Sequence, residues 1–285
     1  MAATTMARPR RRLRVRPGRL LLNLFLLAAG IIFIFPLIWV FFTSFKTDAE
    51  IVRATPTLLP KTWTLDNYLG LPSRAPFLRF FVNSLLVSGV STVFIVFTCT
   101  VAGYVFAKYR FPGRNLLFFL VIGTILIPIQ TYIVPLYVFV RQLQWLNTYQ
   151  GMIFPTIIMS SGIFFLRQSI RDIPDDLIEA MRVDGANEFT ILFRLIFPLS
   201  VASIAAISIV NWVYTWSLFI WPLIVVNQES RFTMEIGLMY FQRQFITEYG
   251  GTMAATTLSL LPVLVVFLIF RTQIIEGISY SGVKG

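Results

Sequence analysis

The side chains that could do chemistry in this chain are few, and the long charged stretch of its second half that carries a helical pattern lies between residues 171 and 199. Asp172, Asp175, Asp176, Glu179, Arg182 and Asp184 fall there, between two apolar runs each long enough to cross a bilayer. Charged groups on an amphipathic helix pair in that position present a surface to a soluble partner. Catalysis has little to work with. The chain has no histidine, which removes the usual general base and the commonest metal ligand. Its one cysteine, Cys99, sits inside an apolar run as a small core or lipid-facing residue, so no disulfide or CxxC site is possible. No GxxxxGK sequence followed by Ser or Thr is present to hold ATP. The apolar cores also lack Asp, Glu, Lys and Arg, the groups an ion-coupled carrier usually keeps at midplane. If the chain moves a solute, the energy comes from another subunit.

The elements that must position this stretch are membrane spans. Of 285 residues, 56% are hydrophobic and 13% charged, with mean hydropathy +0.76. A soluble domain carries about 25% charged residues. Six apolar segments can be drawn, at about 20–45, 82–107, 115–140, 151–170, 200–226 and 252–275. The expected fold is therefore all-α: a polytopic protein with six transmembrane helices over 20–275, a basic tail over 1–19 and a short tail over 276–285. The first segment is too long for the apolar core of a signal peptide and has no small-residue cleavage site, so it reads as a retained anchor. Arg8, Arg10, Arg11, Arg12, Arg14, Arg16 and Arg19 precede it. That cluster accounts for much of the net charge of +11 and reports orientation and attraction to anionic lipid, not nucleic acid. With the N-terminus inside, the inner segments carry twice the lysine and arginine of the outer ones, which places both termini in the cytoplasm.

The loop from Lys46 to Phe81 holds Pro56, Pro60, Pro72 and Pro76 and is expected to be extended and turn-rich. Pro128 and Pro135 interrupt the third span and Pro222 the fifth, either as packing kinks or as marks of a helix lining a path. Between 171 and 199, Pro174 and the carboxylates after it suit the start of a helix. Leu177, Ile178 and Met181 form its apolar face, and Gly185 ends it. A second helix is expected from about Asn187 to Ile196, with Phe189, Leu192, Phe193 and Ile196 as its stripe, before Pro198 leads into the fifth span.

This segment resembles the EAA loop of bacterial ABC-importer permeases: Glu-Ala-Ala, three residues, Gly, nine residues, then Ile-x-Leu-Pro. Glu179, Ala180, Gly185 and Pro198 match in identity and spacing, Leu195 and Phe197 replace the aliphatic pair, and Met181 stands where the second alanine is usual. The resemblance covers nearly the whole chain and narrows to carbohydrate-importer permeases of the maltose-transporter type. It rests on Ser44-Phe45-Lys46, Trp63 to Tyr68, Asn83-Ser84-Leu85, Ala102-Gly103-Tyr104, Phe111 to Arg114, Leu146 to Tyr149, Phe165 to Gln168 and the closing Gly277 to Gly285.

The resemblance implies an importer in the inner membrane of a bacterium or archaeon, with a second permease subunit, two ATP-binding subunits and an extracytoplasmic solute-binding protein. ATP and Mg2+ would belong to the ATPase, with no cofactor on this chain. Glu179, Ala180, Met181, Asp184, Gly185 and Pro198 would form the coupling element, with Glu179 as its polar contact. Ser281, Gly282, Val283, Lys284 and Gly285 would reach the ATPase dimer interface. Where the family often has Trp-Asn-Asp, this chain reads Trp216-Ser217-Leu218, which removes polar groups expected near the pore. Trp212, Tyr214, Trp216 and Ser217 mark a candidate solute path, with Trp221 as a further stacking surface; an interfacial aromatic belt with bundle packing is the better account of the aromatic residues. A sugar or polyol-like solute is the expected cargo, a glycerol phosphate ester the first alternative and an autonomous secondary carrier the second.

Overall fold

Long apolar runs leave the backbone no partner but itself, so the chain folds as helices. The computed structural model describes residues 17–244 and 248–282. The arginine-rich tail through Arg16 lies outside the described residues, as do Val283, Lys284 and Gly285 of the closing tail. Three helices are long and apolar enough to cross a membrane unbroken: α1 (Pro17–Thr43), α2 (Phe77–Lys108) and the last helix, Tyr249–Gly282. That last helix continues past residue 275 and takes in Ser281 and Gly282.

The remaining candidate spans are bent pairs, and counting each pair as one span gives up to six, the third pair joining the segment Glu188–Leu199 to the helix Val201–Trp216. α3 (Arg114–Gly123) and α4 (Ile129–Gln142) bend by 101°. Pro128 sets this break: it forces the residue before it into an extended shape, and Ile127 has φ −95° and ψ 106°. Pro135, in contrast, stays inside α4. α5 (Tyr149–Ile153) and α6 (Ser160–Arg171) bend by 49°. The region expected as one span over 200–226 divides into α9 (Val201–Trp216) and α10 (Ile220–Val225), leaving the 171–199 stretch to α7 and α8 described below. α11 (Met234–Gln244) and α12 (Tyr249–Gly282) complete the order.

α2 is the element on which the others pack. Its N-terminal half shares a core with α5, α9, α10, α11 and α12, through Phe77, Phe80, Met152, Trp216, Trp221, Met234, Phe241 and Ala254. Its C-terminal half shares a second core with α6 and the 171–199 stretch, through Cys99, Tyr104, Leu166, Ile170, Ile178 and Ile196. Cys99 is fully buried there, as its core reading requires. α2 and α6 approach closely at Gly103, where an added Cβ would lie 3.0 Å from the Arg167 nitrogen and 3.1 Å from the Leu166 Cβ.

The loop from Lys46 to Phe81 is turn-rich, but it is pinned rather than extended. Short helices at Asp48–Ile51, Asp66–Leu69 and Leu71–Arg74 fold it back. Buried Glu50 accepts the Lys61 N–H at 2.9 Å and the Thr57 hydroxyl at 3.1 Å, and buried Lys46 donates to the Thr57 carbonyl. Asn67 Nδ2 donates to the carbonyls of Ser44 and Lys46, and Asp48 accepts the Gly250 N–H, which ties the loop to α12.

Two tests follow from these contacts. Gly103→Ala should cost about 1–3 kcal/mol of stability by overpacking the α2–α6 seam, read as a lowered melting temperature in detergent. Gly89→Ala, whose Cβ meets nothing within 4 Å, should be neutral or better. The Lys61 N–H, against the cost of burial and helped by Thr62, Thr57 and Lys46, holds the Glu50 carboxyl below its ordinary range. A depressed carboxylate stabilises the fold above its unfolded pKa of about 4.3 and loses that contribution as pH falls through its folded value. Amide exchange at Lys61 and Thr62, corrected for intrinsic rates, should therefore stay protected from neutral pH to about 4.3 and open below it; in Glu50→Gln the pH step should vanish.

Candidate functional site

α7 (Asp175–Val183) begins after Pro174 with Asp175 and Asp176 in its first turn, where carboxylates complement the helix dipole. It ends in a Schellman closure. The Ala186 N–H donates to the Met181 carbonyl at 2.9 Å and the Gly185 N–H to that of Arg182 at 3.0 Å, with Gly185 at φ +81°. Met181 and Ala186, the residues flanking this closure, both pack against the second core. Asn187 then caps the next helix, its side chain accepting the Thr190 N–H at 2.9 Å. α8 (Glu188–Ile191) runs into a π turn at Leu192–Ile196 and a short helix at Phe197–Leu199 that carries the exposed Pro198. The Glu188–Leu199 segment then meets α9 at an angle of 79°.

The two helices sort their side chains differently from the simple apolar stripes. Ile178, Ile191, Leu192 and Ile196 are buried, and Met181 is half-buried. Leu177 and Phe193, expected to face the core, are exposed instead, as is Phe189 at 73%. The π turn carries more residues per turn than an α-helix and shifts the register of the second stripe. The outward face gathers Glu179, Ala180, Val183, Asp184, Gly185 and Phe189. Val183 is 87% exposed. Glu179 makes no side-chain hydrogen bond or ion pair among the described residues. This surface is an acidic rim around two exposed apolar side chains.

Glu188 holds the pair together, and no helical spacing points to it because a turn intervenes. The Arg182 guanidinium meets its Oε1 at 2.9 Å, and the Tyr104 hydroxyl of α2 donates to its Oε2 at 2.9 Å.

The residues proposed for a solute path separate. Tyr214 and Ser217 are exposed and line a groove of about 600 Å3 with Gln130, Ile129 and Phe219. Trp212 faces a different, apolar cavity of about 660 Å3, beside Phe77, Phe81, Leu258 and Pro262. Trp216 is 1% exposed, stacks on Trp212 at 5.2 Å and gives its Nε1–H to the Ser259 carbonyl. Trp221 is fully buried, with its Nε1–H on the Gly151 carbonyl. Trp216 is a core residue here, and Trp221, though fully buried, borders the groove of Tyr214 and Ser217. Among the described residues no group of three or more His, Cys, Asp or Glu gathers to hold a metal.

A Cβ at position 185 meets open space, so glycine is needed there for its conformation and not for room. Gly185→Val should destabilise the helix pair by about 1–2 kcal/mol, the cost of a left-handed L-residue, and Gly185→Asn by less. Hydrogen exchange at the amides of Gly185 and Ala186 checks this.

The comparisons with known proteins fit this geometry. A family model described as "Binding-protein-dependent transport system inner membrane component" matches residues 99–280. The chain is 34% identical to the arabinooligosaccharides transport system permease protein AraQ of Halalkalibacterium halodurans, over 88% of this chain and 91% of that one. With AraQ of Bacillus subtilis the identity is 33%, over 94% and 96%. With the sn-glycerol-3-phosphate transport system permease protein UgpE of Escherichia coli K12 it is 29%, over 92% and 97%. Among solved structures, a chain of a bacterial ABC transporter involved in the import of the acidic polysaccharide alginate has the same fold, with a TM-score of 0.79 at 20% identity over 92% of this chain and 99% of that one. The family match takes in the whole docking pair and all but the first two spans, and on that ground the chain belongs to the inner-membrane components of binding-protein-dependent transport systems.

Proposed function

We propose that this chain is a permease subunit of an ATP-driven importer for a sugar or related neutral polyhydroxylated solute. It forms half of a translocation pore with a second permease subunit and works with two ATP-binding subunits and an extracytoplasmic solute-binding protein. The reading rests above all on the outward face of α7 and α8, an exposed acidic and apolar surface without a partner among the described residues. Glu179, Ala180, Val183, Asp184, Gly185 and Phe189 dock in a cleft of the ATPase, on the cytoplasmic side, with both termini on that side as the charge bias favours. Met181 and Pro198 stand behind this face, as the turn packing and the lead-in to α9. The closing residues Ser281 to Gly285 extend toward the ATPase dimer interface. Hydrolysis, with its ATP and Mg2+, belongs to the partner; this chain contributes the moving walls.

The groove bearing Gln130, Tyr214 and Ser217 supports the choice of solute. It offers hydroxyl and amide groups and no lysine or arginine. A phosphate ester calls for a cation or a nest of N–H groups, so a neutral sugar suits it better than a glycerol phosphate.

Co-purification from detergent tests the docking. The ATPase should come with wild type, and Val183→Glu should weaken its retention about thirtyfold, as at an interface hot spot, without lowering the melting temperature. In liposomes, arabinooligosaccharides with their binding protein should stimulate hydrolysis and sn-glycerol 3-phosphate should not. Transport by the wild-type chain alone, without ATP, would overturn the importer reading in favour of a secondary carrier.

A further inference from the structure

The docking pair is joined to the membrane by its own chain at two places, and one of them is built to yield. On one side, Asp172 to Pro174 lead directly out of α6. On the other, the exit passes through the π turn at Leu192–Ile196 and then the 79° angle at Ser200, whose buried hydroxyl has no partner. A push on the pair would be partly absorbed there.

A third attachment is not covalent. Lys108, the last residue of α2, has a side chain only 6% exposed. Its ammonium donates to the carbonyls of Ile173 and Arg171 and to Asp175 Oδ1, the last at 2.7 Å. These groups lie on the lead-in and first turn of α7. One turn back, Tyr104 is buried and holds Glu188 at the head of α8. Both docking helices are therefore fastened to the inner end of α2 by charge-assisted bonds.

The outer end of the same helix is fastened as firmly. Asn83, 3% exposed, donates from Nδ2 to the carbonyls of Ser230 and Phe232 at 3.1 and 2.9 Å, and its Oδ1 accepts the Tyr149 hydroxyl at 2.7 Å. Its neighbour Ser84 accepts the Met234 N–H at 2.7 Å. Gly237 packs so closely on Phe80 that a Cβ there would lie 2.1 Å from the ring. At 1.5 Å per residue, Asn83 and Lys108 stand about 37 Å apart, more than the ~30 Å of hydrocarbon between them. One unbroken helix thus joins the docking pair to the segment Ser230 to Met234 on the opposite face.

We propose that α2 is a rigid link across the membrane, with Lys108 and Asn83 as the positioning residues at its ends. A displacement at the segment Ser230 to Met234 reaches the docking pair along this helix, outside the groove of Tyr214 and Ser217. The bent spans are poor levers; α2 has no proline and no break. The proposal rests on the importer reading for what lies beyond each end.

A mutant cycle on the reconstituted importer tests it. Lys108→Met leaves the Ile173 carbonyl and Asp175 without their donor, and Asn83→Ala frees Ser230 and Phe232. Each should cut hydrolysis stimulated by the loaded binding protein about tenfold, the effect of one lost bond to a buried polar group. Basal hydrolysis and ATPase retention should stay within about twofold, a split that simple misfolding would not give, and Lys108→Arg should recover most of the stimulation. Two ends of one link fail together, so the double variant should be no worse than the lower single. Multiplied losses of about a hundredfold would mean separate routes and overturn the proposal, as would full stimulation in either single. Retention of ATPase by wild type judges the importer reading separately. Should that fail, hydrogen exchange on the chain alone decides the link: Lys108→Met should loosen the amides of Met234 and Gly237, and unchanged exchange there would refute it.

Discussion

A helix can be broken inside a bilayer only if something takes the carbonyls it releases, because lipid will not. At one bend in this chain α2 supplies the partner. The Ile157 carbonyl, between α5 and α6, accepts the Thr98 hydroxyl at 2.8 Å, and the Met159 carbonyl, which already takes the Ile163 N–H at 3.0 Å, also accepts the Cys99 thiol at 3.3 Å. The turn before α11 is held to α2 by Asn83, which donates to the Phe232 carbonyl, and by Ser84, which accepts the Met234 N–H. With Thr98 in place, the fourth span can bend and still sit against a straight neighbour. The two cores form on either half of that neighbour, and the α7–α8 pair is bonded to its C-terminal end.

The same dependence sets what a reader of the sequence can see. α1, α2 and α12 were legible as long apolar runs, since length and hydropathy alone decide them. The bend at Pro128 was legible too, through the restriction proline places on Ile127. The bend between α5 and α6 was not, because it owes its survival to Thr98 and Cys99, about 60 residues earlier in the chain. Gly185 announced itself, since few residues but glycine serve a left-handed closure. The facing of Leu177, Phe189 and Phe193 did not. A docking helix wears apolar side chains on both sides, one set for its own core and one for a partner, and periodicity cannot separate them. Glu188, Lys108 and Asn83 were hidden by distance: their partners lie 84, 65 and 147 positions away.

The aromatic cluster of α9 and α10 shows the same limit from the other side. Five aromatic residues within ten positions suggest a sugar-stacking surface, yet Trp216 and Trp221 give their N–H groups to backbone carbonyls. Tyr214, Ser217 and Gln130 bring the polar groups to this groove, beside Phe219 and Trp221. Three neutral polar groups give modest discrimination, which leaves most of the solute selection to the rest of the assembly.

The central claim is that the face carrying Val183 and Phe189 meets an ATPase, and site-directed thiol cross-linking addresses it most directly. The native Cys99 is fully buried, so a thiol introduced elsewhere is the reactive one. In the assembled complex, Val183→Cys and Phe189→Cys should cross-link to the ATPase subunit, and Phe35→Cys on the lipid-exposed α1 should not. Absence of any ATPase adduct at positions 183 and 189, with the complex intact, would contradict the account.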